Sequence, residues 1–247
     1  MPTILDKIVA SRKKTLLNEK ADCSRKKKIL PFSKAILERK FIFEIKKKSP
    51  GAGFIKDIDP VKQALIYQNS GCAAISVLTE PEFFGGSLSD LKKVSETVSV
   101  PVLCKDFIVS EKQIENAYKC GADAVLLIAA VLSREELKNL SDYAKKFGLE
   151  ILFEIHSLEE FEKIEFLNPS IVGVNSRNLK TMKIDLNRCG EILSRLPRGF
   201  VKIAESGIKS RKDAVKLEKA GANGFLIGTS VVKAENPEKF IKELIYG

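Results

Sequence analysis

From residue 41 to the C-terminus, short β-branched or apolar runs alternate with charged stretches of helical period, and that alternation leaves few folds open. Eight runs can be counted: FIFEI at 41–45, AAISVL at 73–78, VLCKD at 102–106, AVLLI at 124–128, ILFEI at 151–155, IVGVN at 171–175, VKIAE at 201–205 and GFLIG at 224–228. Their starts lie about 26 residues apart on average, close to one unit when ~250 residues are shared among eight βα repeats. Nearly continuous apolar runs of this length, each followed by a helical stretch, are the pattern of parallel strands buried on both faces. The expected fold class is therefore α/β, a (β/α)8 TIM barrel with an N-terminal helical extension.

The stretches between the runs carry helix signals. SREELKNLSDYAKKFG at 133–148 opens on a serine cap with Glu136 three residues on and stops at Gly148, and SRKDAVKLEKAG at 210–221 repeats the design. The GCAA, GADA and GANG turns beginning at 71, 121 and 221 put glycine where a helix gives way to a strand. Ahead of the barrel, Ile4 to Lys20 has a helical apolar spacing and a second short helix is expected near Phe32 to Glu38. Forty residues are too few for an independent domain, so residues 1–247 are expected to form one domain in which 1–40 is a helical cap packed on the barrel.

Charge and composition exclude several function classes. The whole net charge of +10 lies in residues 1–48, which hold 15 Lys/Arg against 5 Asp/Glu, while the remainder is balanced. No aromatic or glycine residues interleave the RKK and RKKK clusters at 12–14 and 25–28, so a solvated lysine-rich face is expected rather than a nucleic-acid site. No stretch nears the ~18 consecutive apolar residues of a membrane span, and a cytoplasmic location is expected. The five cysteines have no CxxC spacing and are expected to be reduced thiols. With His156 the only histidine, no metal is expected, and the chemistry falls to carboxylates and lysines.

Barrels of this class place their active sites at the C-terminal ends of the strands. Here those ends read Glu44-Ile45-Lys46, Lys105-Asp106-Phe107, Glu154-Ile155-His156, Asn175-Ser176-Arg177 and Glu205-Ser206-Gly207. Strand alternation puts Glu44 and Lys46 on one side of their run. Charges pointing into a filled barrel at five strand ends are costly unless paired or used. Small residues in the turns Glu205-Ser206-Gly207 and Gly228-Thr229-Ser230 suit a phosphate site, because backbone N–H groups can approach the anion there.

Together, FEIKKKSPGAG at 43–53, LTEPEFFGGS at 78–87, PVLCKDFIV at 101–109, LFEIHS at 152–157, VGVNSRNL at 172–179, AESGI at 204–208 and FLIGTS at 225–230 resemble the indole-3-glycerol-phosphate synthase family of tryptophan biosynthesis, from about residue 4 to the C-terminus. The resemblance implies a carboxy-lyase that closes the indole ring of 1-(2-carboxyphenylamino)-1-deoxyribulose 5-phosphate with loss of CO2 and water and without a cofactor. It implies Lys105 as general acid, Glu154 as general base and Lys46 as the lysine that holds the substrate carboxylate. It also implies Glu44, Asn175 and Glu205 as orienting groups, Ser49, Arg177, Ser206, Gly207, Gly228 and Thr229 around the phosphate, and Phe84 and Phe107 beside the aromatic ring. Gly51 departs from the serine more usual in the family. Burial beside a second lysine is expected to lower the Lys105 pKa and ease proton donation. His156 falls on the side of Glu154 but is expected to be structural. The implied partner is a small phosphorylated substrate, with neither nucleic acid nor membrane, and the chain is expected to be a monomer or weak homodimer.

Overall fold

The structure, a computed structural model, describes residues 3–17, 19, 21, 23–179 and 181–247. Eight parallel strands close on one another: β1 (Phe41–Ile45), β2 (Ala74–Leu78), β3 (Val102–Lys105), β4 (Ala124–Ile128), β5 (Glu150–Ile155), β6 (Ile171–Asn175), β7 (Val201–Glu205) and β8 (Gly224–Ile227). Neighbours in sequence pair with each other, and β8 returns to β1 with Phe41 opposite Phe225 and Phe43 opposite Ile227, leaving no open edge. This is the (β/α)8 barrel expected from the runs. Strand β8 stops one residue early because Gly228 turns to φ −116°, ψ −82° and opens the helix Thr229–Lys233.

Alternation along each strand sorts the core into two layers. Phe41, Phe43 and Ile45 face the surrounding helices, in a shell that also holds Val125, Phe153 and Phe225. Ile42, Leu103, Leu152, Ile203 and Leu226 face inward and fill the barrel. The capped helices behave as their sequences suggest: Ser133 and Ser210 each form a capping box, with Glu136 and Asp213 respectively. The turn glycines Gly71, Gly121 and Gly221 all have φ between 90° and 107°.

The N-terminal extension packs on the barrel at both of its ends rather than on one. Helix α1 (Ile4–Thr15) lies over the C-terminal mouth, where Ile4, Leu5 and Ile8 join the lining of the central cavity. Helix α2 (Phe32–Arg39) plugs the opposite end, its Phe32 and Ile36 fully buried against the inner core layer. The sequence had suggested that α1 reaches Lys20; it ends at Thr15, and Asn18 and Lys20 lie outside the described residues. Part of the basic segment is also buried. Arg12 is inaccessible to solvent and forks onto Asp106 at 2.8–3.1 Å, with Glu19 at 2.9 Å, while Arg25 pairs with the buried Asp123 at 2.7 Å.

Removing one member of a buried pair leaves an uncompensated charge, which typically costs about 3–5 kcal/mol. Arg12→Ala is therefore expected to lose stability on that scale in urea unfolding, whereas Lys13→Ala on the exposed face of the same helix should change little. Equal stability of the two variants would remove the pair from the account. The cysteines also correct an expectation: Cys23 and Cys120 are joined by a disulfide, Cα atoms 5.5 Å apart, and Cys72, Cys104 and Cys189 are free and buried. Their 97-residue separation carries no motif in sequence. No described helix is long and apolar enough to cross a membrane.

Candidate active site

One position beyond the apolar inner layer, each strand offers its next inward side chain. After Ile42, Leu103, Leu152 and Ile203 come Glu44, Lys105, Glu154 and Glu205, and β6 contributes Asn175. These side chains ring the floor of a cavity of about 700 Å³ at the C-terminal mouth. All fourteen residues singled out in the sequence line it: Glu44, Lys46, Ser49, Phe84, Lys105, Phe107, Glu154, Asn175, Arg177, Glu205, Ser206, Gly207, Gly228 and Thr229.

The polar ring is tightly interconnected. Lys105 Nζ donates to Glu154 Oε2 at 2.9 Å and to Glu205 Oε2 at 3.2 Å, Asn175 Nδ2 donates to Glu154 Oε1 at 3.1 Å, and Lys46 Nζ pairs with Glu44 Oε1 at 2.7 Å. Two glycines make room for it. A side chain at Gly173, in the middle of β6, would overlap Glu205 Oε1, and one at Gly228 would overlap the Glu44–Lys46 pair. A glycine inside a strand signals close approach by another group, and Gly173 in IVGVN was the available clue to this crowding.

Electrostatics overturn the expected direction for Lys105. Burial by itself lowers the pKa of an ammonium, but the charges of Glu154, Glu205 and Glu44 and the hydrogen bond to Glu154 more than offset it, so Lys105 is held above the ordinary lysine range. The second lysine, Lys46, pairs with Glu44 instead. The two carboxylates sharing Lys105 are driven apart. Burial raises Glu154, but Lys105, His156 and the hydrogen bonds from Lys105 and Asn175 outweigh it and hold Glu154 below its ordinary range. Glu205 is pushed upward by burial, by Glu154 and by Glu44 despite Lys105. Like charges sharing one cation ionise one at a time, and the opposite directions of the two shifts make Glu154 the easier of the two to ionise.

The cavity has two chemically different sides. Toward the ends of β2, β3 and β4 it is apolar, with Leu78, Phe84, Phe107, Leu126 and Ile128. The Phe84 and Phe107 ring centroids lie 5.9 Å apart. Buried Glu80 holds the turn of Phe84 by accepting the N–H groups of residues 82, 83 and 84. Across the barrel, at the ends of β7 and β8, Ser206 and Gly207 follow one another in the left-handed region at φ 67° and 79°, next to Thr229 and Ser230. Lys209 and Lys233, which sequence reasoning had not singled out, join Arg177 in bringing cationic groups to the cavity. Gly51 lies against the Arg177 guanidinium, where a side chain would press on it.

A profile of the indole-3-glycerol phosphate synthase family matches residues 5–244. Proteins named indole-3-glycerol phosphate synthase from Bacillus cereus (strain AH820) and Bacillus anthracis (strain A0248) are each 40% identical to this chain, with 98% of both chains covered. A thiamine phosphate pyrophosphorylase from Pyrococcus furiosus superposes over 85% of this chain and 95% of its own with a TM-score of 0.62 at 18% identity, a likeness of fold alone.

Proposed function

Because the chain belongs to the indole-3-glycerol phosphate synthase family, we propose that residues 1–247 act as one catalytic unit, a cytoplasmic carboxy-lyase that closes the indole ring of 1-(2-carboxyphenylamino)-1-deoxyribulose 5-phosphate. The observation that carries the assignment of roles is the Lys105 ammonium held between Glu154 and Glu205 on the cavity floor. Its proton goes to the substrate carbonyl oxygen as the carboxylate-bearing aromatic carbon attacks the carbonyl carbon. CO2 then leaves and its bonding pair restores the aromatic ring. Loss of water, assisted by Lys46, and removal of a proton from the carbon beside nitrogen by Glu154 complete the indole.

The strong pairing does not prevent this chemistry; it couples the two steps. While Lys105 is charged, Glu154 is a weak base because the ammonium stabilises its carboxylate. Once Lys105 has given up its proton that stabilisation disappears, and the Glu154 pKa rises toward a value suited to proton removal. Donation by the acid thus arms the base. The substrate carboxylate, arriving beside Lys46, competes with Glu44 for that ammonium. Phe84 and Phe107 flank the aromatic ring, and Glu44, Asn175 and Glu205 orient the lysines and sugar hydroxyls.

We assign the phosphate to the opposite side, against the backbone of Ser206, Gly207, Gly228 and Thr229 with Ser49 and the Arg177 guanidinium. A Schiff-base aldolase is disfavoured because an amine held protonated by two carboxylates is a poor nucleophile. The direct test is a fluorescence assay for indole-3-glycerol phosphate formation by the purified chain. For the phosphate, Gly207→Val is unsuitable, since a side chain there would overlap Ile184 and damage the loop itself. Arg177→Ala is expected to weaken substrate binding by about ten- to a hundredfold, the worth of a charge-assisted hydrogen bond. Calorimetry should find a dephosphorylated analogue bound equally by parent and variant; equal losses for both ligands would place Arg177 elsewhere in binding.

A further inference from the structure

An anion held by main-chain N–H groups needs peptide units that are turned toward it and kept there. The turn after β7 has the N–H groups to offer. Ser206 and Gly207 line the cavity, and among the described residues no main-chain carbonyl accepts a hydrogen bond from either of their N–H groups. Both residues lie in the left-handed region. Glycine enters that region freely, whereas a serine stays there only where its surroundings hold it.

What holds Ser206 is a residue to which the roles given above assign nothing. Ser176 directly follows β6, is 7% exposed and does not line the cavity. Its N–H donates to the Glu205 carbonyl at 2.9 Å, and its hydroxyl shares one proton between the Glu205 carbonyl at 3.0 Å and the Ser206 carbonyl at 2.8 Å. Ser176 is itself anchored, because its own carbonyl accepts the Asp185 N–H at 2.9 Å and the next residue, Arg177, bridges to Ile184. The hydroxyl is packed against the turn as well as bonded to it: a side chain at Gly207 would come within 3.3 Å of the Ser176 oxygen.

The two carbonyls held by Ser176 belong to the two peptide groups that flank the Ser206 α-carbon. Fixing both oxygens fixes the φ and ψ of that one residue. In a trans peptide the N–H points away from the C=O, and the described chain has no cis bond. The N–H groups on these two peptides are those of Ser206 and Gly207, so both are aimed away from Ser176. We propose that Ser176 is a positioning residue for the substrate phosphate, holding the turn after β7 so that the Ser206 and Gly207 N–H groups are presented together to the anion. This deepens the phosphate assignment made above and rests on it.

The neighbours of Ser176 make its contribution separable. Asn175 donates to Glu154 on the cavity floor and accepts the Arg177 N–H at 3.0 Å. A general disturbance of the end of β6 would therefore move Asn175 and lower kcat. Loss of the Ser176 hydroxyl alone leaves the Ser176 N–H on Glu205 and the Asn175 contacts in place, and releases only the Ser206 carbonyl. The Ser206–Gly207 peptide is then free to rotate, which spreads the two N–H groups and weakens the hold on phosphate without touching the acid or the base.

The test compares the parent with Ser176→Ala, circular dichroism serving as the folding control. KM should rise about tenfold, near the upper end of what one hydrogen bond contributes, with kcat within about twofold. Calorimetry uses the substrate with its keto group reduced to an alcohol, which cannot cyclise. Its Kd should rise by the same factor as KM, inorganic phosphate should become a correspondingly weaker competitive inhibitor, and the reduced analogue without its phosphate should bind parent and variant alike. Parental KM and parental inhibition by phosphate in the folded variant overturn the proposal. So do equal losses for the two analogues, or a fall in kcat with KM unchanged, either of which makes the hydroxyl a general support of the barrel mouth. A parent that binds the two analogues equally defeats the phosphate assignment itself, and the role of Ser176 falls with it; that comparison is made on the parent alone, before the variant is read.

Discussion

Lys105→Ala is expected to lower kcat by about 10²–10⁴-fold, the range usually supplied by a general acid, while the barrel stays folded. The loss should be large because Lys105 holds Glu154 and Glu205 together, so its removal takes away the donor and also the charge that keeps Glu154 ionised. The fold should survive because two buried carboxylates without a cation take up protons rather than remain charged. Lys105→Met, which keeps the stem that packs in the floor, separates the lost proton from lost packing and should be nearly as inactive. Steady-state turnover with circular dichroism as a folding control makes the measurement. Near-parental turnover in a folded variant would transfer the donor role to another group.

Glu154→Gln is expected to reduce kcat by about 10²-fold or more through loss of the proton acceptor, with a smaller change in KM. The substitution preserves shape, and the glutamine oxygen can still accept from Lys105, but it removes the charge that contributes to holding the Lys105 pKa up. A variant in which only KM changed would make Glu154 a binding residue. The double variant with Lys105→Met is informative as well: residues acting as a unit are not additive, so the pair should lose little more than Lys105→Met alone.

Strand periodicity makes most of this architecture legible in the sequence. A period of two places Ile42 and Glu44, or Leu152 and Glu154, on one face, so the inner core layer and the polar layer above it can be read from short runs. Partnership between distant segments cannot. The pKa of Lys105 rises because Glu154 and Glu205, 49 and 100 residues away in sequence, converge on it, and no local pattern records that convergence. Arg12 looked like one of several basic residues on a solvated helix until Asp106, 94 residues later, met it in the interior. The glycines at 173 and 228 were visible as small residues, but what they accommodate depends on side chains from β7 and β1.

The extension that occupies both ends of the barrel also fixes an order of events during synthesis. Helix α2 is made before any strand of the barrel, yet a side chain at Gly224, the first residue of β8, would overlap Ile36, and β1 finds its last strand partner only at Phe225 and its neighbours. Phe32 and Ile36 must therefore wait, lacking their final burial, until β8 has also left the ribosome. Such long-range closure slows folding and leaves apolar surface open to misassociation in the interval. The net positive charge of the chain is concentrated in that same segment, and like charges oppose such association, so the lysines that the finished fold leaves in solvent bear on the interval as well as on the finished surface.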